Sequence, residues 1–224
     1  MGFWNLWRRE IGPKTAFVSD YEKGFKKRIP NIRAIEHLDF VVLDTETTGL
    51  NPAEDFIVSF GAVKVRGYAI QVESALEYYL DTPKKGREAI KVHEILYHYE
   101  TYPIRDFGRD VLQYLGNSIV VGHHIGFDVA MLEKTFKPFG LSRLQNPILD
   151  TLNLAVRLEK GPHYDIRGAK PNEYSLDSIC MRYQIPLDDR HTAPGDAFLT
   201  AQLLLKLLKL AESKGIRDFE ALMR

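Results

Sequence analysis

An apolar run, Phe40-Val41-Val42-Leu43, leads straight into Asp44-Thr45-Glu46-Thr47-Thr48-Gly49-Leu50. Leu38 to Thr45 reads as a buried strand, and such a strand needs other layers packed on it. It ends in two carboxylates two residues apart. In a strand, residues i and i+2 point to the same face. Asp44 and Glu46 therefore stand side by side, where two negative charges repel unless something cationic lies between them. A hard divalent cation such as Mg²⁺ is the simplest reason to build such a pair.

The rest of the pattern sets the architecture. Phe56 to Arg66 alternates as a second strand and Tyr68 to Leu80 as a third, with Arg66-Gly67 marking the hairpin turn. Residues 87 to 115 read as mostly helical, interrupted near Tyr102-Pro103. Short apolar strands at Ser118 to His123 and Pro147 to Asp150 are each followed by a helical stretch, Phe127 to Phe136 and Thr151 to Glu159. Lys160 to Glu173 is loop-like, with Gly161-Pro162, Gly168 and Pro171. Ser175 suits the N-cap of a helix running to Tyr183. The last long helix runs from about Pro194 to Lys214, with Pro194 in its first turn, and Ile216 to Met223 forms a short amphipathic tail. A three-strand meander followed by alternating helices and strands predicts an α/β fold, a mixed β-sheet flanked by α-helices.

Residues 1 to 36 differ. They are basic (Lys23, Lys26, Lys27, Arg28, Arg33), hold both Trp residues, Trp4 and Trp7, and show no clear period. They are expected to form an arm on a domain spanning 37 to 224. The arm is read first as a strap that packs Phe3, Trp4 and Trp7 on the domain, and second as a docking segment for a protein partner, a membrane surface or nucleic acid.

A chain of 224 residues with 45% hydrophobic content fits one α/β domain with modest extensions. Lys+Arg 30 balance Asp+Glu 30, which argues against gripping long stretches of nucleic acid and leaves room for a site that handles one strand end. A single cysteine, Cys180, excludes an internal disulfide and suits the reducing cytoplasm. No apolar run is long enough to span a bilayer. The first residues put bulky apolar groups ahead of basic ones, the reverse of a signal peptide, and Leu6 stands where a myristoylation signal wants Ser or Thr.

Two later motifs, Gly126-Phe127-Asp128 and His191-Thr192-Ala193-Pro194-Gly195-Asp196, add two carboxylates and a histidine. Asp128 and Asp196 fall in the first turns of helices, where anions are favoured, so each alone reads as a helix-terminal charge. Together, four carboxylates from four elements can converge at one sheet edge, as a two-metal phosphodiester hydrolase requires. Its two cations, about 3.5–4 Å apart, clamp the attacking and leaving oxygens. Carboxylates suit Mg²⁺ or Mn²⁺, and the absence of a Cys/His cluster argues against zinc. His191, just ahead of the last helix, can deprotonate the attacking water, a contribution of about 10²–10⁴ in rate. His37, His98 and His163 read as ordinary histidines.

With these motifs in place the chain, over about residues 38 to 212, resembles the DEDDh 3′–5′ exonucleases of the ribonuclease H-like superfamily, especially the exonuclease module of the bacterial DNA polymerase III proofreading subunit. Asp44 to Leu50, Val121 to Asp128 and His191 to Ala197 are similar to its three motifs. The resemblance implies that Asp44, Glu46 and Asp196 hold the tighter of two divalent cations, that Asp44 also touches the second, that Asp128 serves the second directly or through water, and that His191 is the general base. It also implies substrate contacts at Thr45, Thr47, Thr48, Leu50 and Phe127, and at His93 within Val92-His93-Glu94-Ile95. The second motif often carries Asn where this chain has His124, which bears on substrate preference. The related tyrosine subclass is disfavoured, since Thr192 occupies its tyrosine position. The polymerase-binding tail of the proofreading subunit has no counterpart here, which favours a free-standing enzyme.

The expected partner is a nucleic acid 3′ end, with single-stranded or frayed DNA favoured and RNA trimming the alternative. The carboxylates cannot separate the two, because the difference lies in contacts to the 2′ hydroxyl. A non-catalytic binding or docking module of the same fold is opposed by the presence of all five motif residues. Lys160, His163, Arg167 and Lys170 beside Tyr164 and Tyr174 suit either a strand-binding platform or a solvated loop. Oligomeric state is not legible.

Overall fold

The structure, a computed structural model, describes residues 11–83 and 100–224. Phe3, Trp4, Trp7 and His93 lie outside the described residues. One five-stranded sheet has the order β3-β2-β1-β4-β5. Its strands are β1 (Asp39–Thr47), β2 (Ile57–Arg66), β3 (Ala69–Tyr79), β4 (Ile119–Gly122) and β5 (Ile148–Asp150). The first three form an antiparallel meander, and β4 and β5 then add parallel to β1. Gly67 and Tyr68 both have positive φ, +57° and +60°, and close the β2–β3 hairpin as a two-residue turn. That turn geometry matches the right-handed twist of the strands it joins.

The helices are α1 (Ala16–Lys23), α2 (Ile104–Leu115), α3 (Gly126–Phe136), α4 (Thr151–Lys160), α5 (Leu176–Arg182), α6 (Ala193–Ser213) and α7 (Phe219–Met223). Alternation along β1 divides the core in two. Phe40 and Val42 pack with the apolar faces of α4, α5 and α6. Val41 and Leu43 pack with α1, α2 and α3. The expected mixed sheet between helical layers is present. Among the described residues no helix is long and apolar enough to cross a membrane.

Side chains start the helices that matter for the site. Asp150 accepts from Leu152 N at 2.9 Å to open α4, and Thr192 accepts from Gly195 N at 3.1 Å to open α6. Ser175 does the same for α5 through Ser178 N. Each such cap contributes about 1 kcal/mol.

The arm departs from expectation, since residues 16–23 form a helix. Two turns give too little length for a periodic signal, and a helix this short is stable only through packing. Val18 and Tyr21 are buried against the domain. The Tyr21 hydroxyl donates to Asn146 Oδ1 at 2.6 Å and accepts from Gln145 N at 2.8 Å. Further on, Ile35 N donates to Arg217 O and Phe219 N to Arg33 O, which joins residues 33–35 to the segment entering α7.

Candidate active site

Asp44 and Glu46 lie on the same face of β1 as Phe40 and Val42, the face covered by α6. Asp44 pairs across the sheet with Gly61 of β2. A Cβ on Gly61 would fall 2.2 Å from Pro194 N and 2.3 Å from Ala193 C. The missing side chain therefore lets the N-terminus of α6 rest on β2, and Asp196, in the first turn, arrives beside Asp44. Carboxylate oxygens of Asp44, Glu46 and Asp196 all lie within 4.8 Å of one another. Thr45 points to the opposite face, toward α3. Its backbone N and Oγ1 both donate to Asp128 Oδ1, at 3.0 and 2.7 Å. Strand alternation thus presents two carboxylates on one face and, between them, the residue that seats a third.

The electrostatics follow from this crowding. Burial, then repulsion from Asp128, Asp196 and Glu46, holds the Asp44 carboxyl well above the usual range. Burial with Asp196 and Asp128 raises Glu46 to about 7. Burial raises Asp128 to about 6, with the two Thr45 hydrogen bonds pulling it back. Nearby negative charge and burial both disfavour ionised carboxylates, and a bound cation relieves both. The donors are all oxygens and close enough for one ion, so the cluster fits a hard divalent cation. Among the described residues a cation of the protein reaches the cluster: the Arg190 guanidinium donates from Nη1 to Asp196 Oδ1 and from Nε to Asp177 Oδ1 of α5.

A pH dependence follows. Unfolded carboxyls titrate at about 4. In the metal-free fold Glu46 keeps its proton to about 7 and Asp128 to about 6. Between those limits the folded state binds more protons than the unfolded one, so stability falls as pH rises. Thermal melts in EDTA should give a Tm a few degrees lower at about pH 8 than at about pH 5, and the Tm gain on adding Mg²⁺ should grow with pH. A Tm in EDTA that holds steady or rises over this range would contradict the crowded carboxylates.

The turn after β1 is built around Asp55, a buried carboxylate that the motifs did not single out. Thr48 Oγ1 donates to Asp55 Oδ1 at 2.9 Å and Asn51 N to Oδ2 at 2.8 Å. Thr47 Oγ1 donates to Gly49 O at 2.8 Å. The hydroxyls of Thr45 and Thr48 are therefore engaged inside the protein, whereas Leu50 projects outward, 86% exposed. His124 is exposed at φ +59°, its backbone N donating to Asp150 Oδ1, and Phe127 is half-buried. His191 is exposed on the loop entering α6, at φ +66°. It is not one of the residues whose ligand atoms cluster.

His123 is held on both ring nitrogens, by Thr151 Oγ1 and Tyr174 O at 2.9 Å each, and burial lowers its pKa. It ties the end of β4 to α4 and to the segment before α5. In the loop from 160 to 173, Arg167 pairs with Asp165 and Lys160 with Glu173. Tyr174 is buried, with its hydroxyl on Glu159. Lys160, Arg167 and Tyr174 are thus paired within the protein, whereas His163 and Lys170 are exposed.

Gly61, Asp55 and Arg190 thus join the site without having been singled out. A glycine inside the apolar strand Phe60-Gly61-Ala62-Val63 is a sign of close backbone approach. Nothing in the sequence marks Arg190, whose partners lie on α5 and α6, or Asp55, which is bonded within its own turn and belongs to no motif.

The RNase_T family model, described as "Exonuclease", matches residues 41–204, most of the chain. The chain is 31% identical over 193 residues to the DNA polymerase III PolC-type protein of Bacillus subtilis, covering 85% of this chain and 13% of that protein. With the protein of the same name from Thermotoga maritima it shares 32% identity over 209 residues, covering 92% and 14%. The chain thus spans less than one sixth of the length of these relatives. Among solved structures, Exonuclease X in complex with 5′ overhanging duplex DNA aligns with TM-score 0.56 and 22% identity, over 77% of this chain and 93% of that one. Escherichia coli Exonuclease I in complex with a dT13 oligonucleotide aligns with TM-score 0.61 and 16% identity, over 80% and 43%. These two likenesses bear on the fold. With the family match over the three acidic motifs and the strand order around them, the chain belongs to the RNase_T exonuclease family, in its DEDDh, ribonuclease H-like form.

Proposed function

We propose that this chain is a metal-dependent 3′–5′ exonuclease that removes nucleotides from single-stranded or frayed DNA 3′ ends and releases nucleoside 5′-monophosphates. The observation that carries this reading is the convergence of Asp44, Glu46 and Asp196 oxygens within 4.8 Å. Asp44, Glu46 and Asp196 would hold one divalent cation, Mg²⁺ or Mn²⁺, and Asp44 with Asp128 a second. Bound there, the cations supply Lewis-acid stabilisation of the charge on the attacking and leaving oxygens.

The chain's own groups do the rest. Thr45 fixes the Asp128 carboxylate through two hydrogen bonds to one oxygen. His191, on the exposed loop ahead of α6, takes the proton from the attacking water. The water oxygen bonds to phosphorus as the bond to the 3′ oxygen breaks, and the departing 3′ oxygen takes a proton from solvent, leaving a 5′-monophosphate and a new 3′ hydroxyl. Leu50 and Phe127 flank the terminal nucleotide, with the Thr47–Leu50 turn held rigid by Asp55. His124 and His93 are assigned as further contacts of the bound strand.

DNA is favoured over RNA because the curated relatives are DNA polymerases by name. That kinship and the buried, unbridged Cys180 support a cytoplasmic enzyme. The buried Val18 and Tyr21 support the strap role for the arm.

The test is a time course on 5′-labelled DNA and RNA strands of matched sequence, with Mg²⁺ and with EDTA. A ladder shortening from the 3′ end in Mg²⁺ alone, faster on DNA, is expected. A faster ladder on RNA would move the enzyme to RNA trimming, and no cleavage of either strand would remove the catalytic reading.

A further inference from the structure

Arg190 is a basic side chain that reaches into the carboxylate cluster. Its side chain is 18% exposed and that of Asp196 11%. The guanidinium lies between two carboxylates on different helices, Asp177 of α5 and Asp196 of α6, and donates to each through a separate nitrogen. Its charge also lowers the otherwise raised pKa values of Asp44 and Glu46. The flanking backbone is constrained: Asp189 and His191 both have positive φ, and Asp189 O accepts from Thr192 Oγ1. The Asp196 carboxylate that would ligate a cation is therefore in contact with a cation that belongs to the protein.

We propose that Arg190 is an internal counter-cation that competes with the divalent metal for Asp196, and that Asp177 is the post to which it remains attached when the metal takes Asp196. The proposal rests on the assignment of Asp196 as a metal ligand. In the metal-free protein Arg190 offsets the mutual repulsion of the carboxylates and keeps Asp196 oriented. With metal present, the divalent charge and the guanidinium repel across one carboxylate, and Arg190 keeps a single partner. Asp177 thus makes metal entry easier, and Arg190 makes it harder.

The two residues should act with opposite sign. Binding of Mn²⁺ alone, followed on the full chain by electron paramagnetic resonance of the free ion, tests this without turnover. Arg190→Gln, which removes the competitor, should bind Mn²⁺ roughly tenfold more tightly than the unsubstituted protein. Asp177→Asn, which leaves the displaced Arg190 without a partner, should bind it more weakly. Arg190→Lys, which keeps the charge but loses the two-pronged reach, should fall between the unsubstituted protein and Arg190→Gln. If the bridge served only to hold the loop together, Arg190→Gln and Asp177→Asn would both weaken binding, and that result overturns the proposal. Unchanged affinity in Arg190→Gln overturns it equally. Failure of the underlying metal assignment looks different: neither the unsubstituted protein nor any variant would bind Mn²⁺.

Discussion

Asp44→Asn should abolish nuclease activity and at the same time make the metal-free protein more stable. Asp44 clusters with Glu46 and Asp196, and burial, then repulsion from Asp128, Asp196 and Glu46, pushes its carboxyl upward. An amide at this position removes a strongly held ligand and one negative charge. Loss of metal-based stabilisation of the transition state is a matter of several kcal/mol, which corresponds to about 10³-fold or more in rate. Loss of the buried charge works the other way on the fold. In EDTA at about pH 8 the variant should melt a few degrees above the unsubstituted protein. Its Tm should also respond little to Mg²⁺. Single-turnover cleavage of a labelled DNA strand and calorimetry with and without Mg²⁺ measure both halves. Residual activity within tenfold would remove Asp44 from the metal site, and a lower Tm in EDTA would mean that its carboxylate is not under repulsion.

Gly61→Val should separate the site without touching a charged residue. The added atoms would meet backbone of Ala193 and Pro194, at 2.2–2.3 Å for the Cβ alone. Neither contact is with a flexible side-chain end, so relief requires the N-terminus of α6 to move away from β2. Asp196 would move with it, away from Asp44. Overpacking of this kind costs roughly 1–3 kcal/mol in stability. A displacement of about 1 Å in a catalytic group costs about 10²-fold in rate. The expected pattern is thus a moderate loss of stability with a larger loss of activity and of the Mg²⁺-induced rise in Tm. Gly61→Ala should do the same to a smaller degree. An alanine variant with full activity and an unchanged response to Mg²⁺ would show that close approach at Gly61 does not set the position of Asp196.

Much of the site is legible in the sequence because its members sit at the ends of elements that local pattern can find. The β1 run, the alternation that sets Asp44 beside Glu46, and the placement of Asp128 and Asp196 in the first turns of helices follow from short-range periodicity. The order of strands and helices follows from it too. Helix α1 escapes, since two turns without strong intrinsic preference become a helix only when Val18 and Tyr21 have a surface to pack on. The roles of Thr45 and Thr48 are equally invisible locally, because a threonine in a motif can face a ligand or a neighbouring carboxylate. Here Thr45 turns to Asp128 and Thr48 to Asp55.

The sequence by itself determined which chemical groups are present and on which face or helix end each stands, since those depend on spacings of two to four residues. Only the tertiary structure decided how near they come. The approach of α6 to β2 over Gly61 and the joining of α5 to α6 by Arg190 are contacts between distant segments. Their geometry depends on how the layers close, a property of backbone separation and packing that no local spacing encodes.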